Sequence, residues 1–174
     1  GIGKALTYEF ASQGYQLILA ARNIAKMKSL AAELQKKFGV TVIVIEADLE
    51  TPNGAALLHA DIKSRGIVLS ALVNNAGYGT FGEFKNAELT KEIAMMQLNM
   101  NSVVALTRLF LPDLLATQGK ILNLASTAAF QPGPYMSVYC ATKSFVLSFS
   151  EAIASELEKT GVTVTAFCPG PTAS

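Results

Sequence analysis

The sequence predicts an α/β fold in which helices cover both faces of a doubly wound, mostly parallel sheet. Short apolar runs rich in β-branched residues alternate with segments of helical periodicity along the whole chain. Several of these runs are almost continuously apolar, as is typical of strands buried on both faces of a parallel sheet. Neither an internal repeat nor a linker interrupts the pattern. We therefore interpret the 174 residues as one three-layer α/β/α domain.

The elements follow one another as helix, strand, helix and strand, with turn residues at several junctions. The first helix ends at the Gln13-Gly14 turn, the second ends at Gly39, and the long fourth helix carries Pro112 near its end. The predicted helices are 3–13, 24–38, 53–65, 87–116 and a last one that contains Tyr139 and ends near 160. The predicted strands are 15–21, 40–47, 70–77, 120–126 and 162–170.

The composition is that of a globular chain and argues against several function classes. It is 51% apolar and 16% charged, and a net charge of +1 gives no electrostatic reason to expect nucleic acid or an anionic membrane as partner. No apolar run approaches the roughly 18 residues that a membrane span needs. Cys140 and Cys168 are far apart, which predicts packed thiols in a reducing compartment such as the cytoplasm. We expect no metal site, and we interpret His59 as a surface residue.

In a sheet of this kind, ligands bind at the carboxyl ends of the strands. Gly1, Ile2 and Gly3 open the first helix, where glycines let a pyrophosphate approach the helix N-terminus and its unpaired N–H groups. About 20 residues further on, a dinucleotide-binding domain contacts the adenosine ribose. Arg22 and Asn23 stand there without an acid, which favours NADP over NAD because arginine accommodates a 2′-phosphate.

Polar residues also follow the next two strands. Asp48, with its neighbour Leu49, ends the strand 40–47, where a carboxylate can accept a hydrogen bond from the adenine amine. Asn74 breaks the apolar run of the following strand and begins the segment Asn74-Asn75-Ala76-Gly77. Side-chain amides at this point can tie strand ends together, and Gly77 leaves room for a ligand. We expect Asn75, Ala76 and Gly77 to contact the cofactor.

Tyr139 and Lys143 lie four positions apart in the last predicted helix, so their side chains share one face. An ammonium near a phenol favours the ionised form of the phenol and makes it a better proton donor at neutral pH. The pair alone is a weak motif. The catalytic interpretation depends on position: the pair follows the strand 120–126, which ends at Ser126.

This ordered set of motifs resembles the short-chain dehydrogenase/reductase family over essentially the whole chain. The segments that carry the resemblance are Gly1 and Gly3, Asn74 to Gly77, Asn99, Ser126, Tyr139-x-x-x-Lys143 and Pro169-Gly170. The separation of thirteen residues between Ser126 and Tyr139 is the one usual in the family. The resemblance implies a Rossmann-type domain that transfers a hydride between NADP(H) and a carbonyl or alcohol substrate.

The resemblance also implies a role for each site residue. Tyr139 would be the general acid or base, Lys143 would hold the nicotinamide ribose, Ser126 would bind the substrate oxygen, and Asn99 would position a water beside Lys143. Asn101 competes for the helix position, but the spacing to Pro112 favours Asn99. Further cofactor contacts are expected at Pro169, Gly170, Thr172 and Ser174, the last standing where the family often has threonine.

The resemblance further implies that a first strand, the start of the glycine-rich loop and a substrate-capping segment are missing from this sequence. The missing strand would pair with the strands 15–21 and 70–77, so its absence would leave backbone groups unpaired. We therefore expect the 174-residue chain to be a fragment of a longer protein, and to be unstable or inactive by itself.

Several questions stay open at the level of sequence. A non-catalytic dinucleotide-binding protein, and an epimerase or dehydratase that uses the same Tyr139–Lys143 pair, are alternatives to a reductase. The apolar segment 102–111 favours a homodimer or homotetramer, with cover by missing parts of the chain as the alternative. An apolar substrate cleft is expected from loop residues, namely Tyr78, Phe81, Phe130, Pro132 and Tyr135.

Overall fold

A computed structural model describes residues 1–172 of the chain, and this part has the predicted α/β fold. The α-helices are α1 (Ile2–Ser12), α2 (Ile24–Phe38), α3 (Gly54–Ser64), α4 (Leu89–Met96), α5 (Ser102–Thr117) and α6 (Ser137–Leu157). The strands are β1 (Leu17–Ala21), β2 (Val42–Glu46), β3 (Ala71–Asn74), β4 (Lys120–Leu124) and β5 (Thr163–Phe167). Short 3₁₀ segments are Phe84–Asn86, Thr127–Phe130 and Glu158–Thr160, and a π-helical turn spans Gln97–Asn101.

The described residues divide into two compact units, each with its own parallel sheet. The first unit is Gly1–Asp48 together with Thr172. In it β1 pairs with β2, from Leu17 opposite Val42 to Ala21 opposite Glu46. Buried side chains of this unit form a small core, made of Ala11, Leu19, Met27, Ala31, Leu34, Val40 and Val42.

The second unit, Leu49–Pro171, contains a three-stranded parallel sheet in the order β3-β4-β5. Helices α5 and α6 pack on this sheet and bury large apolar side chains. The most completely buried apolar side chains of this unit include Met95, Phe110, Leu114, Ile121 and Val146. The parallel arrangement brings the carboxyl ends of β3, β4 and β5 to one edge, where the site residues of this unit begin.

A buried chain of polar side chains crosses the second sheet. Asn74 and Asn123 are direct neighbours in the β3–β4 register, and Asn74 Nδ2 donates to Asn123 Oδ1 at 2.8 Å and to Thr107 Oγ1 at 3.2 Å. Asn123 Nδ2 donates in turn to Ser150 Oγ at 2.9 Å. The chain joins α5, both strands and α6, so it fixes β3 and its polar end relative to the helices.

The predicted elements are present, and most strands are shorter than predicted; the last one, for example, ends at Phe167 and not at 170. Two differences lie close to the candidate site. The strand predicted over 70–77 ends at Asn74, because the Asn75 N–H turns back to Val73 O at 3.1 Å instead of continuing the ladder. The helix predicted over 87–116 is interrupted by the π-helical turn at Gln97–Asn101. The second helix ends as expected, with Gly39 in the left-handed region at φ 70°.

One further property of the fold bears on the sequence-based interpretation. Among residues 1–172, no helix has both the length and the apolar character needed to cross a bilayer. The interpretation of the chain as a single domain stays a prediction.

Candidate active site

The loop that follows β3 is bound to the π-helical turn by Asn99, which is 1% exposed. The Asn99 amide pairs with the backbone of Tyr78 in both directions: Oδ1 accepts from the Tyr78 N–H at 3.2 Å, and Nδ2 donates to Tyr78 O at 2.9 Å. Nδ2 also donates to Thr142 Oγ1 of α6 at 3.0 Å. Asn101 lies on the surface and bonds to Gln97. Asn99 therefore joins three segments of the site, and it does so from a π-helical turn, an element that is frequent at functional sites.

Gly77 lies where Asn99 and Lys143 come together. A methyl group at this position would be 2.9 Å from Asn99 Oδ1 and 3.5 Å from Lys143 Nζ. Any larger residue would therefore fill the space around these two polar atoms. The glycine keeps that space open at an exposed point of the loop, which is the property required of a backbone that a ligand approaches closely.

Lys143 is a buried lysine, 6% exposed, on the inner side of α6. Its Nζ donates to Leu124 O, the last residue of β4, at 2.7 Å. Burial lowers the pKa of the Lys143 ammonium to about 8, and the Cys168 thiol nearby acts in the opposite direction. The ammonium has two further hydrogens that could be donated to a ligand.

Tyr139 lies one turn before Lys143 on α6, and its ring is half-buried between that lysine and the loop after β3. Lys143 Nζ is 5.8 Å from the centroid of the ring. On the loop side the ring packs on Gly79, where an added methyl group would lie 2.9 Å from Cδ2 and 3.1 Å from Cγ. The ring therefore has Gly79 of the loop on one side and the Lys143 ammonium nearby.

Ser126 lies two residues beyond β4, next to the loop that follows β5. Its Oγ accepts from the Ala128 N–H at 3.1 Å, which leaves the hydroxyl hydrogen for an acceptor on a ligand. The Ala125 N–H donates to Phe167 O at 2.9 Å and the Thr127 N–H to Pro169 O at 3.0 Å. These two bonds continue the β4–β5 pairing and hold Ser126 beside Pro169 and Gly170.

The first unit contains the residues predicted to bind the adenosine and phosphate end of a dinucleotide. Gly1 is the N-cap of α1, with Ile2 and Gly3 in its first turn, and no side chain caps that helix. Arg22 is exposed directly after β1. Asn23 has a structural role in addition, because its side chain accepts from the Lys26 N–H at 2.9 Å and caps α2. Asp48 is exposed after β2.

The remaining predicted contacts lie in loops. Leu49 and Asn75 are partly buried, and Ala76, Gly170 and Thr172 are exposed. Ser174, which the sequence also suggested, lies outside the described residues. In the part of the chain that the structure describes, no group of three or more His, Cys, Asp or Glu side chains could hold a metal ion.

Sequence reasoning missed two contributors to this site. Glu92 of α4 is buried and accepts from Thr80 Oγ1 at 2.8 Å, which ties the loop after β3 to α4. Thr142 joins Asn99 to α6. A signal for Glu92 was present, because Glu92, Met95 and Asn99 are spaced so that they share one face of a helix, and an acid between buried residues is not a surface residue.

Comparison with known proteins identifies the family. The family model for short chain dehydrogenases matches residues 1–174. The chain is 34% identical to human 17-beta-hydroxysteroid dehydrogenase type 3 over 174 residues, with 97% of this chain and 55% of that protein covered. It is also 34% identical to the very-long-chain 3-oxoacyl-CoA reductase of Anas platyrhynchos, again with 97% and 55% covered. The chain thus spans about half the length of the curated relatives that it matches.

Solved structures agree with this result. A short-chain dehydrogenase from Sphingobium yanoikuyae in complex with NADPH is 32% identical, with a TM-score of 0.92 over 99% of this chain and 68% of that one. L-sorbose reductase from Gluconobacter frateurii, complexed with NADPH and L-sorbose, is 33% identical, with a TM-score of 0.91 over 98% and 65%. With the family model matching from end to end, the chain belongs to the short-chain dehydrogenase family of oxidoreductases.

Proposed function

We propose that the protein transfers a hydride between NADP(H) and a carbonyl or alcohol substrate, with Tyr139 as the proton donor or acceptor. The observation that carries this proposal is the environment of Lys143. A buried ammonium, bound to Leu124 O, lies beside Asn99 and Gly77 and one turn from a tyrosine. Burying a lysine is unfavourable, and a non-catalytic nucleotide-binding protein would have no need of this lysine, this tyrosine and Ser126 together.

The residues present fit a nicotinamide nucleotide. Lys143 has two hydrogens left for ribose hydroxyls, and Gly77 keeps the space beside it open. The uncapped start of α1 at Gly1, Ile2 and Gly3 suits a diphosphate. Arg22 favours the 2′-phosphate of NADP over the free hydroxyl of NAD. Asp48, Leu49, Asn75, Ala76, Pro169, Gly170, Thr172 and Ser174 are the further contacts that we propose.

The bound cofactor would supply the hydride that reduces the carbonyl carbon. The protein's own residues would handle the proton. Ser126 would donate its hydroxyl hydrogen to the substrate oxygen, which orients the carbonyl and stabilises the negative charge that develops on it. Tyr139 would transfer its phenolic proton to that oxygen, and Lys143 would stabilise the phenolate that remains.

Reprotonation of Tyr139 would use the space around Gly77. Asn99 uses both amide hydrogens within the protein, but Oδ1 accepts only one of the two hydrogen bonds that a carbonyl oxygen can take. We propose that the second one holds a water beside Lys143 Nζ. Such a water could return a proton to Tyr139 by way of the Lys143 ammonium.

The substrate is proposed to be a small molecule with an apolar part. Phe81 and Tyr135 are 80% and 55% exposed, and their ring centroids are 5.8 Å apart. These exposed aromatic rings would contact the apolar part.

We also propose that the full-length protein is a homodimer or homotetramer, because Val104 and Leu115 of α5 are exposed apolar residues. A monomeric mass of the full-length protein would contradict this. The cytoplasm stays the expected compartment, which imaging of the tagged full-length protein would test.

The direct test is NADPH oxidation by the full-length protein with a panel of ketones, aldehydes and acyl-type carbonyls. The proposal predicts one alcohol formed per NADPH consumed. Cofactor binding without turnover of any substrate would favour a non-catalytic binding protein. Conversion of a substrate without net NADPH consumption would favour an epimerase or dehydratase.

A second test concerns the choice of cofactor. We expect the KM for NADPH to be lower than that for NADH, and Arg22→Ala to raise the KM for NADPH by about ten-fold, since a hydrogen-bonded ion pair contributes on the order of 1.5 kcal/mol or more. The KM for NADH should change little. Arg65→Ala serves as the control, because Arg65 pairs with Asp61 on the surface of α3. Equal use of NADH by the unmodified protein would contradict the assignment.

A further inference from the structure

Glu92 is a buried acid that the proposed chemistry does not use. It lies in the first turn of α4 and is only 8% exposed. One carboxyl oxygen, Oε1, accepts from Thr80 Oγ1 at 2.8 Å. The other, Oε2, is buried and has no hydrogen-bond partner among the residues that the structure describes. A half-satisfied buried carboxyl costs stability, so its single bond to Thr80 calls for an explanation.

Thr80 belongs to the loop 77–82, which is held at three successive points. Tyr78 is paired with Asn99 through both its N–H and its carbonyl. Thr80 is bound to Glu92. The Gly82 N–H donates to Tyr135 O at 2.9 Å. The middle attachment is the only one of these three that relies on a buried ionisable side chain.

Gly79 lies between the first two attachments and forms the wall against which the Tyr139 ring packs. An added methyl group there would lie 2.9 Å from Tyr139 Cδ2, so a residue with a side chain at this position would collide with the ring. A shift of the loop at Thr80 would therefore widen or narrow the space that the Tyr139 ring occupies beside Gly79. The hydroxyl of a general acid must stay within hydrogen-bond reach of the substrate oxygen, and a displacement of about 1 Å can cost up to 100-fold in rate.

We propose that Glu92 is a positioning residue for Tyr139: through its hydrogen bond to Thr80 it holds Gly79 against the tyrosine ring. This inference rests on the proposed role of Tyr139 as the proton donor. Packing alone does not require a carboxyl here, since an apolar residue at position 92 would fill the same space without a desolvation cost. The hydrogen bond to Thr80 gives the carboxyl a role.

The test uses Thr80→Val in the full-length protein, because valine keeps the shape of threonine and removes only the hydroxyl. We expect kcat for carbonyl reduction to fall about ten-fold while the Kd for NADPH stays within about two-fold. Thr80→Ser, which restores a hydroxyl, should bring kcat back to within about two-fold of the original. If Thr80→Val folds poorly, Thr80→Ala removes the same hydroxyl and is compared with Thr80→Ser in the same way.

The chain offers a matched control. Thr90 Oγ1 donates to Glu88 Oε1 at 2.9 Å, a threonine–glutamate bond of the same kind on the exposed surface at the start of α4. Thr90→Val should leave kcat unchanged. An unchanged kcat in Thr80→Val, or an equal loss in Thr80→Val and Thr80→Ser, would overturn the inference.

A readout that does not depend on turnover separates this inference from the proposed function. Hydrogen exchange of the Tyr78 and Gly82 amides should accelerate at least about ten-fold in Thr80→Val and not in Thr90→Val. Unchanged exchange would overturn the inference even in an active enzyme. Faster exchange in a protein that reduces no carbonyl would support the attachment of the loop by Glu92 while contradicting the proposed function.

Discussion

Burial of Lys143 gives a definite sign to the pH dependence of stability. Its pKa is about 8 in the folded protein, against about 10.4 for a lysine in an unfolded chain. Between these values the unfolded chain binds more protons than the folded one, so stability rises with pH. Replacing Lys143 with methionine, which has a similar shape and no charge, removes this dependence.

The size of the effect follows from the two pKa values. At pH 7 the charge of Lys143 costs the folded state about 3 kcal/mol, and at pH 9 it costs about 2 kcal/mol. The wild-type protein should therefore gain about 1 kcal/mol over Lys143→Met between pH 7 and pH 9. Contributions of titrating groups that do not interact with Lys143 cancel in this difference. Lys143→Met also loses the hydrogen bond to Leu124 O, so the prediction concerns the change between pH 7 and pH 9 and not the absolute difference in stability.

The assay is urea denaturation of the cofactor-free full-length protein at both pH values. Lys28→Met is the control, because Lys28 is exposed on α2 and its removal should produce no change of this kind between pH 7 and pH 9. A difference between wild type and Lys143→Met that stays constant with pH, or that changes in the opposite direction, would refute the reasoning about burial.

Two other predictions concern the loop after β3 and the tie between α3 and α5. Gly79→Ala should lower kcat at least about ten-fold with little effect on the Kd for NADPH, because the new methyl group meets the Tyr139 ring at 2.9 Å; steady-state kinetics that match wild type would contradict the described packing. Asp113→Asn should destabilise the protein by about 2 kcal/mol at pH 7, because Asp113 accepts from Lys63 Nζ at 2.7 Å and from the Leu69 N–H at 3.1 Å. Burial alone would raise the pKa of the Asp113 carboxyl, but these two bonds hold it below its ordinary value, so the stabilisation is present above about pH 4 and is lost as the pH falls through the folded pKa. Thermal melting at pH 7 and pH 3 measures this loss, and an equal difference between wild type and variant at both pH values would count against it.

The fold was predictable because its signals are local. Apolar runs, helical periodicity and residues such as Gly39 identified the elements in the right order, and the carboxyl-end rule then named the loops that carry Gly77, Ser126 and Pro169. The end of β3 was less predictable. Asn75 has the same residue type as Asn74, and only the hydrogen bond from its N–H to Val73 O distinguishes the strand from the loop.

Long-range contacts explain what the sequence did not reveal. The bond between Thr80 and Glu92 joins a loop to a helix twelve residues away. The spacing of Glu92 places it on a buried helix face, but nothing local identifies Thr80 as its partner. Long-range contacts also accompany the π-helical turn at Gln97–Asn101, where the Asn99 side chain bonds to Tyr78 and Thr142. The intrinsic helix or strand propensity of a residue does not predict such contacts.

Tyr139→Phe in the full-length protein tests the central claim most directly, since it removes one oxygen and leaves the packing against Gly79 in place. The measurement is NADPH-dependent reduction of the best carbonyl substrate, together with the Kd for NADPH. General acid catalysis predicts a loss in kcat of at least about 100-fold with the Kd within about three-fold, and Tyr15→Phe, which removes a phenol from the other unit, should behave as wild type. Retention of more than about one tenth of kcat in Tyr139→Phe would contradict the assignment of Tyr139 as the proton donor.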